Sequence, residues 1–94
     1  MATPRITWDE DKHAANRSMD GVGFDEAIET PRDPLARSTK DSQHGIREDR
    51  WTTIGVSRSG RLLRVTTPEA GATIRLISAR PASARERRDY KEDL

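Results

Sequence analysis

The spacing of apolar residues changes at Trp51, and this change constrains the fold more than any single residue. Ahead of it the apolar positions are sparse and helical in spacing. After it, Ile54 and Val56 alternate with Thr53 and Gly55, and Leu63 and Val65 alternate with Leu62, Arg64 and Thr66. A period of two is the signature of a strand with one buried face. The turns Ser57-Arg58-Ser59-Gly60 and Pro68-Glu69-Ala70-Gly71 separate these runs from each other and from Thr73-Ile74-Arg75-Leu76-Ile77-Ser78. The pattern predicts a three-stranded antiparallel meander with Ile54/Val56, Leu63/Val65 and Ile74/Leu76 on one buried face. Trp51, Arg64 and Arg75 fall on the other.

The helices frame this meander. Asp9-Glu10-Asp11 set negative charge where a helix N-terminus favours it, which predicts a helix from Asp9 to Met19 with Gly21 at its C-terminal cap. Phe24, Ala27 and Ile28 predict a short helix from Phe24 to Glu29, stopped at Thr30-Pro31. Arg5-Ile6-Thr7-Trp8 is β-prone, Leu35–Ser38 reads as an edge strand, and the polar run up to Gly45 reads as a loop. Ser83 followed by Glu86 is a capping box, so a last helix runs from Ala84 to Glu92, with Glu86, Tyr90 and Leu94 on one stripe. The result is one α+β domain over residues 1–94: two N-terminal helices, an antiparallel sheet of the meander plus short edge strands, and a C-terminal helix.

The chain is 94 residues long, 32% hydrophobic and free of cysteine, which argues against two domains, a disulfide framework, a Cys-ligated metal and a membrane span. Met1 leads into no apolar stretch of the kind a signal peptide needs, so a cytoplasmic protein is expected. The formal net charge of +1 conceals a separation: residues 50–91 carry ten Arg or Lys against three acids, and the remainder seven against thirteen. Fourteen of the seventeen cations are Arg, whose planar fork suits phosphate oxygens. A solvated arginine surface weighs equally with a polyanion site on composition alone. The meander favours the site, because Arg64 and Arg75 project from its open face with Arg80 and the last helix's Arg87 and Arg88 beside them, and Trp51 is placed to stack on a base or to cap the core edge.

No His or Cys pair has metal-ligand spacing, no glycine-rich phosphate loop is present, and no Ser or Cys nucleophile constellation exists, so neither metal nor cofactor is expected. RNA self-cleavage remains open, because it needs only proton transfer and stabilisation of charge on a pentavalent phosphorus. Arginines supply the charge. His44, Tyr90 or an acid such as Glu48 are candidates for the proton, whereas His13, inside the first helix, is expected to pack or face water.

The ordered set Trp8-Asp9, Lys12, Asn16, Gly21-Val22, Phe24, Glu26-Ala27, Asp33-Pro34, His44, Arg50-Trp51, Ile54-Gly55, Gly60-Arg61, Ile74-Arg75, Ile77-Ser78-Ala79-Arg80, Glu86-Arg87 and Tyr90 resembles the BrnT toxin family. Its most specific pieces are Trp-Asp-x-x-Lys-x-x-x-Asn and Ile-Arg-Leu-Ile-Ser-Ala-Arg followed by Glu-Arg-x-x-Tyr. The resemblance implies a RelE-like fold and a ribonuclease toxin of a type II toxin–antitoxin pair that arrests translation and growth. It also implies a BrnA-like ribbon-helix-helix antitoxin in a heterotetramer that reaches operator DNA through the antitoxin. Carried over by position, His44, Arg50, Arg75, Arg80 and Tyr90 are the expected catalytic residues, with Trp51, Arg64, Arg87 and Arg88 binding RNA. Met19-Asp20 stands where members usually carry Lys-His, and Ala70 where many carry Arg. These departures support an alternative: a catalytically impaired homologue that binds the antitoxin and tunes transcription.

Overall fold

The computed structural model describes residues 5–41, 50–68 and 73–92. In chain order these form β1 (Arg5–Thr7), α1 (Glu10–Asp20), α2 (Phe24–Ala27), a 3₁₀ turn (Thr30–Arg32), β2 (Arg37–Asp41), β3 (Arg50–Val56), β4 (Leu62–Pro68), β5 (Thr73–Arg75), β6 (Ser78–Pro81) and α3 (Ala84–Glu92). Strands β2-β3-β4-β6 make a four-stranded antiparallel sheet, and β1 pairs with β5 in parallel as a separate two-stranded sheet. The α+β class is as the sequence predicts.

Helix boundaries follow their caps. The Asp9 carboxylate accepts from the Asp11 and Lys12 amides at the start of α1. Gly21 ends the helix at φ 71°, a left-handed conformation that a side chain would strain. Ser83 and Glu86 exchange the two hydrogen bonds of a capping box: the Ser83 amide donates to Glu86 Oε1 at 2.8 Å and the Glu86 amide to Ser83 Oγ at 3.1 Å. The second helix is shorter than predicted, because Thr30-Pro31-Arg32 tightens into the 3₁₀ turn. The edge strand runs Arg37–Asp41 rather than Leu35–Ser38.

Three expectations about the meander are corrected. Its third strand is β6, not the 73–78 stretch, which divides between two sheets: Thr73–Arg75 pairs with β1, and at Ile77 the amide donates to the Thr66 carbonyl as the chain crosses to β4. The period-two pattern of that stretch is the same in either sheet, so it does not reveal the break. Second, Ile54 and Val56 do not share a face with Leu63 and Val65. The register sets Gly55 opposite Leu63 and Thr53 opposite Val65, and the side-chain period of two sends Ile54 and Val56 to the other side. Gly55 is required there, since a Cβ would meet the Thr30 carbonyl oxygen at 2.8 Å. Third, by the same register Trp51 lies with Thr53 and Gly55, on the face opposite Arg64.

One face of the sheet therefore carries Leu63, Val65 and Ala79, which pack with Val22, Phe24, Ala27 and Leu76 beneath α1 and α2 as the main core. Buried Asn16 fastens α1 to β6, its Nδ2 donating to the Val22 and Ala79 carbonyls at 2.8 and 2.7 Å while its Oδ1 accepts from the Ala79 amide. The other face is not wholly open, as the sequence suggested. Leu62, Ala82 and Tyr90, with Ile54 and Val56 against them, form a second cluster that seats α3 across one end.

Candidate functional site

Beyond that cluster the second face turns polar. The register places Arg64 of β4 directly opposite Arg80 of β6, so two guanidiniums leave adjacent strands side by side. Glu86, in the first turn of α3, lies between them. Arg80 Nη1 and Nη2 donate to its two oxygens at 2.9 and 3.0 Å, a paired fork, and Arg64 Nε reaches Oε2 at 3.2 Å. Arg80 Nη1 also donates to the Pro81 carbonyl, and Arg64 Nη2 lies 3.5 Å from Thr52 Oγ1. Burial pushes the Glu86 carboxyl up, but the Arg80 guanidinium and the Ser83 amide and hydroxyl outweigh it, so the group sits below its ordinary range and is ionised at neutral pH. Two cations share one anion, which leaves a net positive fork at the rim.

Beside the fork, Thr39, Thr52, Thr66 and Ser78 stand directly opposite one another across all four strands. This row of hydroxyls runs at right angles to the chain, with the Arg64–Arg80 pair on one flank. On the other flank lies Arg50, half-buried, whose Nε is shielded from solvent with no hydrogen-bond partner among the described residues. Thr66 is buried within the row, whereas the hydroxyls of Thr39, Thr52 and Ser78 together with the guanidiniums offer donors for phosphate oxygens and acceptors for ribose hydroxyls.

The remaining predicted positions lie elsewhere. Arg75 belongs to the small parallel sheet and faces Asp9, the N-cap of α1, at 3.9 Å; the cross-strand neighbour of Arg64 is Arg80, not Arg75 as expected. Tyr90 is buried, and its hydroxyl donates to Asp33 Oδ2 at 2.7 Å. The Asp33 carboxylate raises the phenol above its usual value, with burial adding to the effect. Asp33 also accepts from the Val56 and Leu35 amides, and these bonds bring its carboxyl below the ordinary range despite burial pushing it up. Arg87 and Arg88 are exposed on α3, and Trp51 is half-buried. His44, Glu48 and Ala70 lie outside the described residues. His13 packs, as expected: its Nδ1 accepts from the Phe24 amide and its ring stacks on Trp8. Met19 and Asp20 are exposed at the end of α1, on the far side of the sheet from the fork.

Glu86 is the residue at this site that sequence reasoning missed. Its capping role is legible from Ser83. Its role between the arginines depends on β6 pairing with β4, and the only hint is that the helical stripe through Glu86 and Tyr90 faces the sheet. Among the described residues no group of three His, Cys, Asp or Glu side chains is placed to hold a metal ion, and no helix is long and apolar enough to cross a membrane.

The chain is a small α+β protein with an arginine fork on one sheet face, and its architecture has a solved counterpart. The structure matches the Brucella abortus ribonuclease toxin BrnT, known from a 1.1 Å crystal structure, with a TM-score of 0.66 and 24% identity over 86% of this chain and 99% of that one. The family model described as the ribonuclease toxin BrnT of type II toxin–antitoxin systems matches residues 8–86, so the chain belongs to the BrnT family. Membership brings an RNA substrate and a protein antitoxin partner at the level of the family. No curated protein matches the chain.

Proposed function

We propose that the protein is an endoribonuclease toxin that cleaves RNA on the α3 face of the sheet, and that a BrnA-like ribbon-helix-helix antitoxin neutralises it by covering the same face. The observation that carries this reading is the Arg64–Arg80 pair with one carboxylate for two guanidiniums. In the proposed reaction a ribose 2′-oxygen attacks the adjacent phosphorus as it loses its proton. The phosphorus–5′-oxygen bond then breaks and that oxygen takes up a proton, leaving a 2′,3′-cyclic phosphate and a free 5′-hydroxyl. Arg64 and Arg80 hold the phosphate and stabilise the added negative charge of the pentavalent state, which needs no metal as Lewis acid. Arg50 and the hydroxyl row orient the strand, Arg87 and Arg88 hold flanking backbone, and His44 is assigned the proton transfer because the Tyr90 hydroxyl is already donated to Asp33.

An active toxin is favoured over an impaired, antitoxin-binding homologue by the position of Met19 and Asp20, which lie on the helix beneath the opposite face. The test is incubation of the purified protein with single-stranded RNA in the presence of a chelator. Cyclic-phosphate termini are expected, and growth arrest on expression without the antitoxin. Intact RNA together with tight antitoxin binding and normal growth would establish the impaired reading instead.

A further inference from the structure

Glu86 is an unusual neighbour for a phosphate site, since it sets a negative charge where a negative substrate is to bind. Its geometry explains what it contributes. The carboxylate is anchored from below by the Ser83 amide at 2.8 Å, so it is part of the first turn of α3 and not a free surface acid. From that anchor it takes three guanidinium contacts, two from Arg80 and one from Arg64, on side chains that are 39% and 29% exposed. An unheld arginine samples many rotamers and loses that freedom when it binds. A carboxylate that fixes two of them in advance removes that cost from the binding and chemical steps. The contacts also leave donors to spare: among the described residues nothing bonds Arg64 Nη1 or Arg80 Nε, so a phosphate can join the fork without expelling Glu86.

Resting on the ribonuclease reading above, we propose that Glu86 is a positioning residue that exchanges RNA affinity for turnover, holding Arg64 and Arg80 in register for the reacting phosphate while lowering the charge that attracts it. The Ser83 amide at the start of α3 and the arginine fork then meet on one carboxylate. Whatever displaces α3 from the sheet releases both arginines together.

Glu86→Gln tests this, because the amide keeps an oxygen for the Ser83 cap but loses the charge and one acceptor. Affinity is measured on a single-stranded RNA carrying a 2′-deoxy nucleotide at the cleaved position, and turnover on the unmodified RNA. The variant is expected to bind roughly threefold to tenfold more tightly, the scale of one partly screened charge. It is expected to turn over about tenfold more slowly or worse, the consequence of misplaced reacting groups. Ser83→Ala, which weakens only the cap, is the stability control: it lowers the melting temperature and moves affinity and turnover little. Opposite shifts in affinity and turnover support the proposal, and a merely structural role would not produce them. Unchanged turnover, or weaker binding, in folded Glu86→Gln overturns it while the ribonuclease reading stands. Absence of cleavage by the unmodified protein overturns that reading, and this inference with it.

Discussion

Two glutamates in this protein hold arginines, and they hold them to different ends. Glu26, on α2, accepts from Arg61 Nε and Nη2 and from the hydroxyls of Ser57 and Ser59, while Arg61 also donates to the Gly21 carbonyl. One cation meets one anion, and the cluster joins the β3–β4 turn to α2 and the end of α1. The Arg61 contact, helped by the two serines, holds the Glu26 carboxyl at about 2 against the opposing effect of burial. Glu86 instead gives both oxygens to Arg80, shares one of them with Arg64, and leaves a positive charge unspent. The residue types are the same and the stoichiometry differs. An arginine whose charge is matched one to one holds the fold, and a pair that shares one carboxylate keeps a surplus of charge for a substrate.

The largest effect that tests this contrast is on cleavage. Arg64→Ala with Arg80→Ala is expected to lower the cleavage rate by about a thousandfold, the scale of removing charge stabilisation at a reacting centre. Thermal unfolding should remain cooperative, because Leu62, Ala82 and Tyr90 still seat α3. Arg61→Ala should do the reverse, destabilising the fold while the molecules that remain folded cleave at the normal rate. A folded Arg61→Ala protein with a thousandfold loss would erase the distinction between the two clusters.

The next effect is on stability and its pH dependence. Glu26 titrates at about 2 in the folded protein against 4.5 when unperturbed. Its contribution is therefore complete above the unperturbed value and lost as pH falls toward 2. Arg61 is 42% exposed, so solvent screening reduces the pair, and about 2 kcal/mol at neutral pH is expected for the whole cluster. Urea unfolding of the wild type and Glu26→Gln between pH 6 and about pH 2 measures it. The difference in midpoint should shrink as the acid limit is approached. A difference that stays constant would mean that Glu26 contributes through packing and not through its charge.

What the sequence made legible was local. Asp9, Gly21, Ser83 and Glu86 carry their cap chemistry within a few residues, which predicts α1 and α3 to within one residue. The hydrophobic period located β3 and β4, but a period of two says which residues alternate and not which face they take once strands pair. That depends on register, and here register is set at a distance, by the approach of Thr30 to Gly55 and by the crossing at Ile77 to β4. The same gap affected the site. The pattern singles out Arg64 and Arg80 individually, yet it sets Arg75 beside Arg64, because the 73–78 stretch has the period of one strand. Glu86 and Asp33 were visible only as a cap and a family position, since their other partners lie on strands or helices distant in the sequence.

The smallest effect separates the fork from the hydroxyl that anchors α3. Tyr90 buries its ring against Leu62 and Ala82 and donates its hydroxyl to Asp33, which the Val56 and Leu35 amides also hold. Tyr90→Phe keeps the ring and removes one hydrogen bond, and Asp33 retains two donors. A loss of about 1 kcal/mol is expected at neutral pH. Because Asp33 raises the folded phenol above its usual value of 10.0, the contribution is present below that value and disappears as pH rises beyond it. Cleavage by the folded variant should be unchanged, because the ring still seats α3 against Leu62 and Ala82 and the Ser83 amide still anchors Glu86. A hundredfold loss of cleavage with that small loss of stability would instead make Tyr90 a proton donor, and would mean that Asp33 releases it when RNA binds.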